Sequence, residues 1–130
     1  MASLKISKET AEKLDQIMIE LKIPSTTRAD AYRLAFAKGI DSDREIDPDI
    51  KMGTMHEFKS SIIYTYLDET IIRHLIINKM QKPIHEYDLN RLILSLITNG
   101  IDEMYDELNN LTDAENYLFY LFDKHQRKTV

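Results

Sequence analysis

Residues 4–40, LKISKETAEKLDQIMIELKIPSTTRADAYRLAFAKGI, decide how this chain is read. Ser3, Lys5 and Ser7 alternate with Leu4 and Ile6, the two-residue period of a short half-buried strand. A strand this short is not stable alone and needs a partner edge. Ser7 is a helix N-cap candidate with Glu9 in the first turn, and Ala11, Leu14, Ile17, Met18 and Leu21 follow at helical spacing. Pro24 stops that helix near Lys22. Ser25, Thr26 and Thr27 are N-cap candidates for a second helix, with Asp30 in its early turns and Gly39 as its C′ residue. Ala29, Ala31, Tyr32, Leu34, Ala35, Phe36 and Ala37 make this helix apolar around much of its circumference. Such a helix belongs at the centre of a core or in a subunit interface.

Beyond this block, residues 41–53 are acidic, hold Pro48 and Gly53, and are expected to form a loop. FKSSIIYTYL, residues 58–67, is rich in β-branched and aromatic side chains, which favours a second strand, with helix as the alternative. Asp68 is placed as the cap of a helix carrying Ile71, Ile72, Leu75, Ile76 and Met80, and Pro83 ends that region. Asp88 is placed as the cap of the longest helix, whose stripe is Leu89, Leu92, Ile93, Leu96, Ile97, Ile101, Met104 and Leu108. Gly100 within it costs about 1 kcal/mol against Ala and marks either close helix packing or a break before IDEMYDEL. Thr112 and Glu115 form a capping box ahead of Tyr117, Leu118, Leu121 and Phe122, and a polar tail follows.

The expected fold is mostly α: a short N-terminal strand, then about five helices, with a possible second strand near 58–67. One domain spans 1–130. It comprises a ribbon–helix–helix-like element (3–40), an acidic loop (41–53), a helical body (54–111) and a C-terminal helix and tail (112–130).

A chain of 130 residues with 43% hydrophobic content can bury a real core. The absence of cysteine excludes disulfides, cysteine nucleophiles, thiolate zinc sites and protein-ligated iron–sulfur clusters, and fits a cytoplasmic setting. The apolar runs are short and interrupted, so no membrane segment is expected, and MASLKISKET lacks the apolar core of a signal peptide. The net charge of −5 counts against a generic nucleic-acid binder, because phosphate affinity rests on Lys and Arg. That charge is uneven. Residues 1–39 carry 7 basic and 5 acidic groups, residues 40–52 carry 2 and 5, and residues 83–111 carry 1 and 6. A DNA-facing surface therefore belongs in the N-terminal part, joined by Lys59, Arg73, Lys79 and Lys82, while the acidic parts face solvent or a basic partner.

Little in the chain points to catalysis. His56, His74, His85 and His125 show no helical metal-ligand spacing, and His74 is read as a structural or interface histidine. There is no phosphate-binding glycine loop and no nucleophile elbow. Asp102 with Asp106, and Glu103 with Glu107, are four apart and could do acid–base work or bind a cation. Such pairs more often form an exposed polar face. No catalytic residue, cofactor or metal ligand is assigned.

Strand, helix, tight turn, helix is the order of a ribbon–helix–helix unit, in which two chains pair their strands into a ribbon lying in the major groove. Alternation would turn Ser3, Lys5 and Ser7 toward bases, and the second helix would offer its N-terminus at 25–28 to a phosphate. The pattern alone leaves DNA contact and a purely structural role both open.

The order and spacing of several segments resemble the DndE family of bacterial DNA phosphorothioation systems. The segments are LKISKETAEKLDQIMIELKI, STTRADAYRLAFAKGI, EFKSSIIYTYLDETIIRHLI and LNRLILSLITNGIDEM, which together cover about residues 3–108. The resemblance implies a small, mostly helical, non-catalytic subunit that works beside a sulfur-transfer enzyme and an ATPase. It also implies oligomers that bind duplex DNA, notably nicked duplex, through surface lysines. The lack of cysteine agrees with a subunit that handles no sulfur. The acidic net charge departs from this picture, and residues 112–130 lie outside the similarity. Candidate DNA contacts are the basic residues of the opening block: Lys5, Lys8, Lys13, Lys22, Arg28, Arg33 and Lys38. The alternatives are a dimeric ribbon–helix–helix regulator or antitoxin, and a helical adaptor without DNA contact. The patterned chain of about 90 residues behind Gly39 counts against an antitoxin, whose second helix should lead into a disordered toxin-binding tail.

Overall fold

A computed structural model describes residues 3–65, 69–85 and 88–110. Its elements are β1 (Ser3–Ile6), α1 (Lys8–Glu20), α2 (Arg28–Asp41), β2 (Met55–Lys59), α3 (Glu69–Met80) and α4 (Leu89–Asn109), with 3-10 turns at Ser25–Thr27 and Ser60–Thr65. The described chain is mostly helical, with one two-stranded antiparallel sheet. The expected cap at Asp68 and the expected C-terminal helix and tail over 112–130 lie outside the described residues.

The core forms around α4. All eight residues of its expected stripe, Leu89 through Leu108, are buried. Each fully buried Leu or Ile contributes roughly 1.5–3 kcal/mol, so the stripe far outweighs the roughly 1 kcal/mol that Gly100 costs the helix. The helix runs through Gly100 unbroken. A Cβ there would sit 1.8 Å from the Ala35 carbonyl oxygen of α2, so this glycine marks close packing. The same holds at Gly39, where a Cβ would meet the Leu96 carbonyl oxygen at 2.0 Å. Gly39 is therefore not the C′ residue expected from the sequence. α2 continues to Asp41 with Ser42 as its C-cap, and Gly39 is buried inside the helix facing α4. The Ala-rich α2 is accordingly the central partner of α4.

α1 begins as expected, with the Ser7 hydroxyl oxygen accepting from the Thr10 N–H at 3.1 Å. It buries Ala11, Leu14, Ile17 and Met18. It ends in a Schellman arrangement: the Ile23 N–H donates to the Met18 carbonyl at 2.8 Å and the Lys22 N–H to that of Ile19 at 3.2 Å. Lys22 takes the left-handed position, at φ 57°. The other two caps differ from expectation. Thr27 stands at the N-cap of α2, but its hydroxyl donates to the Pro24 carbonyl at 3.0 Å. Asp88 stands at the N-cap of α4 without a side-chain cap bond.

The second strand is displaced from the predicted 58–67 to Met55–Lys59, and Ser60–Thr65 form a 3-10 turn. The reason is pairing. Ser3 pairs with Lys59 and Leu4 with Phe58, and the chain turns away from this edge into the 3-10 turn at Ser60. At the other end Met55 is strand because it pairs with Ile6. The partner edge that the ribbon–helix–helix order seeks in a second chain is thus found within the same chain. Leu4, Ile6 and Phe58 face the core, and Phe58 stacks on Tyr32 of α2 with ring centroids 4.0 Å apart. The loop before β2 is pinned where Gly53 donates its N–H to the Lys5 carbonyl at 2.9 Å. A Cβ on Gly53 would lie 2.1 Å from the Ile6 carbonyl oxygen.

Candidate nucleic-acid interface

The seven basic residues of the opening block are separated by the fold. Lys38 is 2% exposed and pairs at 2.9 Å with Glu107, itself 11% exposed, so it cannot reach a phosphate from this position. Lys13 lies 3.0 Å from Asp102 and over the Tyr105 ring. The hydrogen bond it donates to Asp102 holds the Lys13 ammonium above its ordinary pKa although partial burial opposes this. Arg33 is held by Asp30 and by the Ile62 carbonyl, each at 2.8 Å. Arg28 is half-buried 3.8 Å from Asp15, which also meets the His56 ring nitrogen at 3.2 Å. Lys5, Lys8 and Lys22 make no ion pair among the described residues. Lys22 stands about 20 Å from Lys8 along α1, at 1.5 Å per residue. The N-terminus of α2, expected to face a phosphate, opens as a 3-10 turn whose Thr27 N–H is already bonded to the Pro24 carbonyl at 2.9 Å.

Two of these cations, Lys13 and Lys38, are taken by the C-terminal half of α4. Asp102, Glu103, Asp106 and Glu107 were expected to form an exposed polar face or to meet a basic partner; Asp106 is exposed, whereas the other three are partly buried, and all four pair within the chain. Asp102 takes Lys13 of α1, Glu107 takes Lys38 of α2, and Glu103 with Asp106 takes Arg44 of the loop after α2. The Ser42 hydroxyl also donates to Glu103, at 3.1 Å. The Arg44 guanidinium is held above its ordinary pKa, first by its hydrogen bond to Glu103. These carboxylates fasten elements together and form no free acid–base pair. Among the described residues, no group of three or more His, Cys, Asp or Glu gathers where a metal could bind. His74, read as a structural or interface histidine, is exposed on α3.

What remains for an anion lies at β1. Ser3 and Lys59 are cross-strand partners on the outward face of the ribbon, and Lys5 and the exposed Glu57 share that face by alternation. Lys8 opens α1 two residues after the strand. Beside β1 runs a groove of about 650 Å³ with Lys51 and Arg91 on its rim. Both side chains are exposed and unpaired among the described residues. Sequence reasoning missed these two because each is submerged in an acidic segment, and only folding brings them together beside Ser3 and Leu4 of β1. A second groove, of about 610 Å³, lies between residues 42–46 and the end of α3. Its cations are largely used: Arg44 is paired as above and Lys79 donates to the Ser42 carbonyl.

Tyr32 secures the sheet to the helices. Its hydroxyl donates to the His56 carbonyl at 2.9 Å, and burial pushes its pKa up to about 12. Among the described residues no helix is long and apolar enough to cross a membrane. Comparisons of this chain with protein-family models, curated proteins and solved structures find no match.

Proposed function

We propose that this chain is a non-catalytic subunit that contacts duplex DNA, nicked duplex included, for the partner proteins of a bacterial DNA phosphorothioation system in the cytoplasm. The observation that carries the DNA part is the outward face of the β1–β2 ribbon. Lys5 and Lys59 stand on it beside Ser3, opposite the buried Leu4 and Phe58, with Lys8 close by. A two-stranded ribbon is one of the elements that the major groove of B-DNA admits. The phosphorothioation setting rests on the sequence resemblance alone. Two or three phosphate contacts give only weak binding. A second copy of the chain or a partner subunit is therefore part of the proposal.

Titration of labelled duplex, intact and nicked, at low salt tests it. The wild type is expected to bind with little base preference and to bind nicked duplex at least as well as intact. Lys5→Ala with Lys59→Ala should weaken binding about tenfold, as the loss of two charge-assisted contacts implies. Lys22→Ala should leave it unchanged. Failure to bind any of these duplexes at low salt would sink the proposal.

A further inference from the structure

The groove beside β1 has a chemistry of its own, independent of DNA contact by the ribbon. Its floor is aliphatic: Leu4 and Leu94 close it, and Ile50 and Met52 line it, with Met52 53% exposed. Lys51 and Arg91 stand on the rim of this apolar floor, in a chain of net charge −5. Each feature narrows the occupant. Among the described residues no aromatic ring lines the groove, so these offer a nucleobase no stacking platform. Asp49 stands between stretches of the positive rim, so an occupant's negative charges must be spaced apart, which those of a continuous phosphate chain are not. An aliphatic side chain set on Ile50 and Met52, with carboxylates reaching Lys51 and Arg91, would use both parts of the groove. The Met52 thioether can adapt to aliphatic chains of different shape.

We propose that this groove docks a short segment of a partner protein in which acidic and aliphatic residues alternate. Lys51 and Arg91 receive the carboxylates and the Met52 floor receives the aliphatic anchor.

The test uses the full chain and a labelled, end-capped peptide of alternating aspartate and leucine, followed by fluorescence anisotropy. Saturable binding is expected. Lys51→Glu with Arg91→Glu should weaken it about tenfold or more, since charge reversal sets like charges against each other. Replacing the peptide's leucines by serine should abolish binding, and Met52→Ser should weaken it several-fold. Circular dichroism of each variant separates loss of the groove from loss of the fold; with the fold intact, wild-type peptide affinity in the double reversal overturns the proposal. So does displacement of the peptide by a single-stranded oligonucleotide, which would make the groove a nucleic-acid site. Conversion of an oligomer to a monomer by the double reversal, with no peptide binding by the wild type, would assign the groove to a second copy of this chain and also overturn it.

Discussion

At Gly100 the usual preference of a helix for alanine reverses. In an open helix, Gly→Ala gains about 1 kcal/mol. Here the added methyl would lie 1.8 Å from the backbone of α2, so the two helices must part, and overpacking of this kind costs about 1–3 kcal/mol. Gly100→Ala and Gly39→Ala are each expected to lower the urea midpoint, and a gain in either would show that α2 and α4 do not meet at that point. Glycine is absent where a left-handed residue is needed: Lys22 takes that place after α1. This is why the sequence misassigns the C′ role to Gly39, since composition shows where glycines are but not whether φ or space is the constraint. Tyr32 offers a pH test. Its phenol titrates near 10 when unfolded and about 12 in the fold, because burial disfavours the phenolate. Its contribution is complete below pH 10 and is lost as pH rises toward 12. Denaturation followed across that interval should show Tyr32→Phe losing less stability than the wild type, and equal losses would contradict a buried phenol.

At the scale of elements, legibility follows how local the code is. The α4 stripe and the start of α1 are written in their own residues, and both form as expected. β2 is not, because its ends are set by the four residues of β1 opposite it. Caps fall between. Ser7→Ala should cost about 1 kcal/mol, whereas Asp88→Ala should cost almost nothing, since only Ser7 accepts a cap bond. Paired thermal melts check both, and equal losses would contradict the assignment. The ion pairs of α4 were illegible because each partner lies on another element. They are not equal in weight. The Lys13–Asp102 pair is a quarter exposed on both sides and, being screened, is worth at most about 1 kcal/mol. Removing one partner from the buried Lys38–Glu107 pair strands a charge, at about 3–5 kcal/mol. Lys38→Ala is therefore expected to be severely destabilising, and Lys38→Met combined with Glu107→Leu to recover most of the loss. A double-mutant cycle in urea with no coupling between the two positions would contradict the buried pair.

At the scale of the whole molecule, the distribution of charge governs function more than its total does. The basic opening block offered seven candidate DNA contacts, from Lys5 to Lys38. Folding instead spends Lys13, Arg28, Arg33 and Lys38 on internal partners and leaves a smaller patch at the ribbon. Lys51 and Arg91 emerge from segments that read as acidic. Counting charge along the chain could not foresee this, because pairing is settled in three dimensions. The most direct test of DNA contact by the ribbon is the salt dependence of duplex binding. Each phosphate contact contributes about 0.9 to the slope of log affinity against log salt, so removing two should flatten it by about 1.8. Lys5→Ala with Lys59→Ala is expected to flatten the slope by that amount while Lys22→Ala leaves it unchanged. A double variant with the wild-type slope would contradict the central claim.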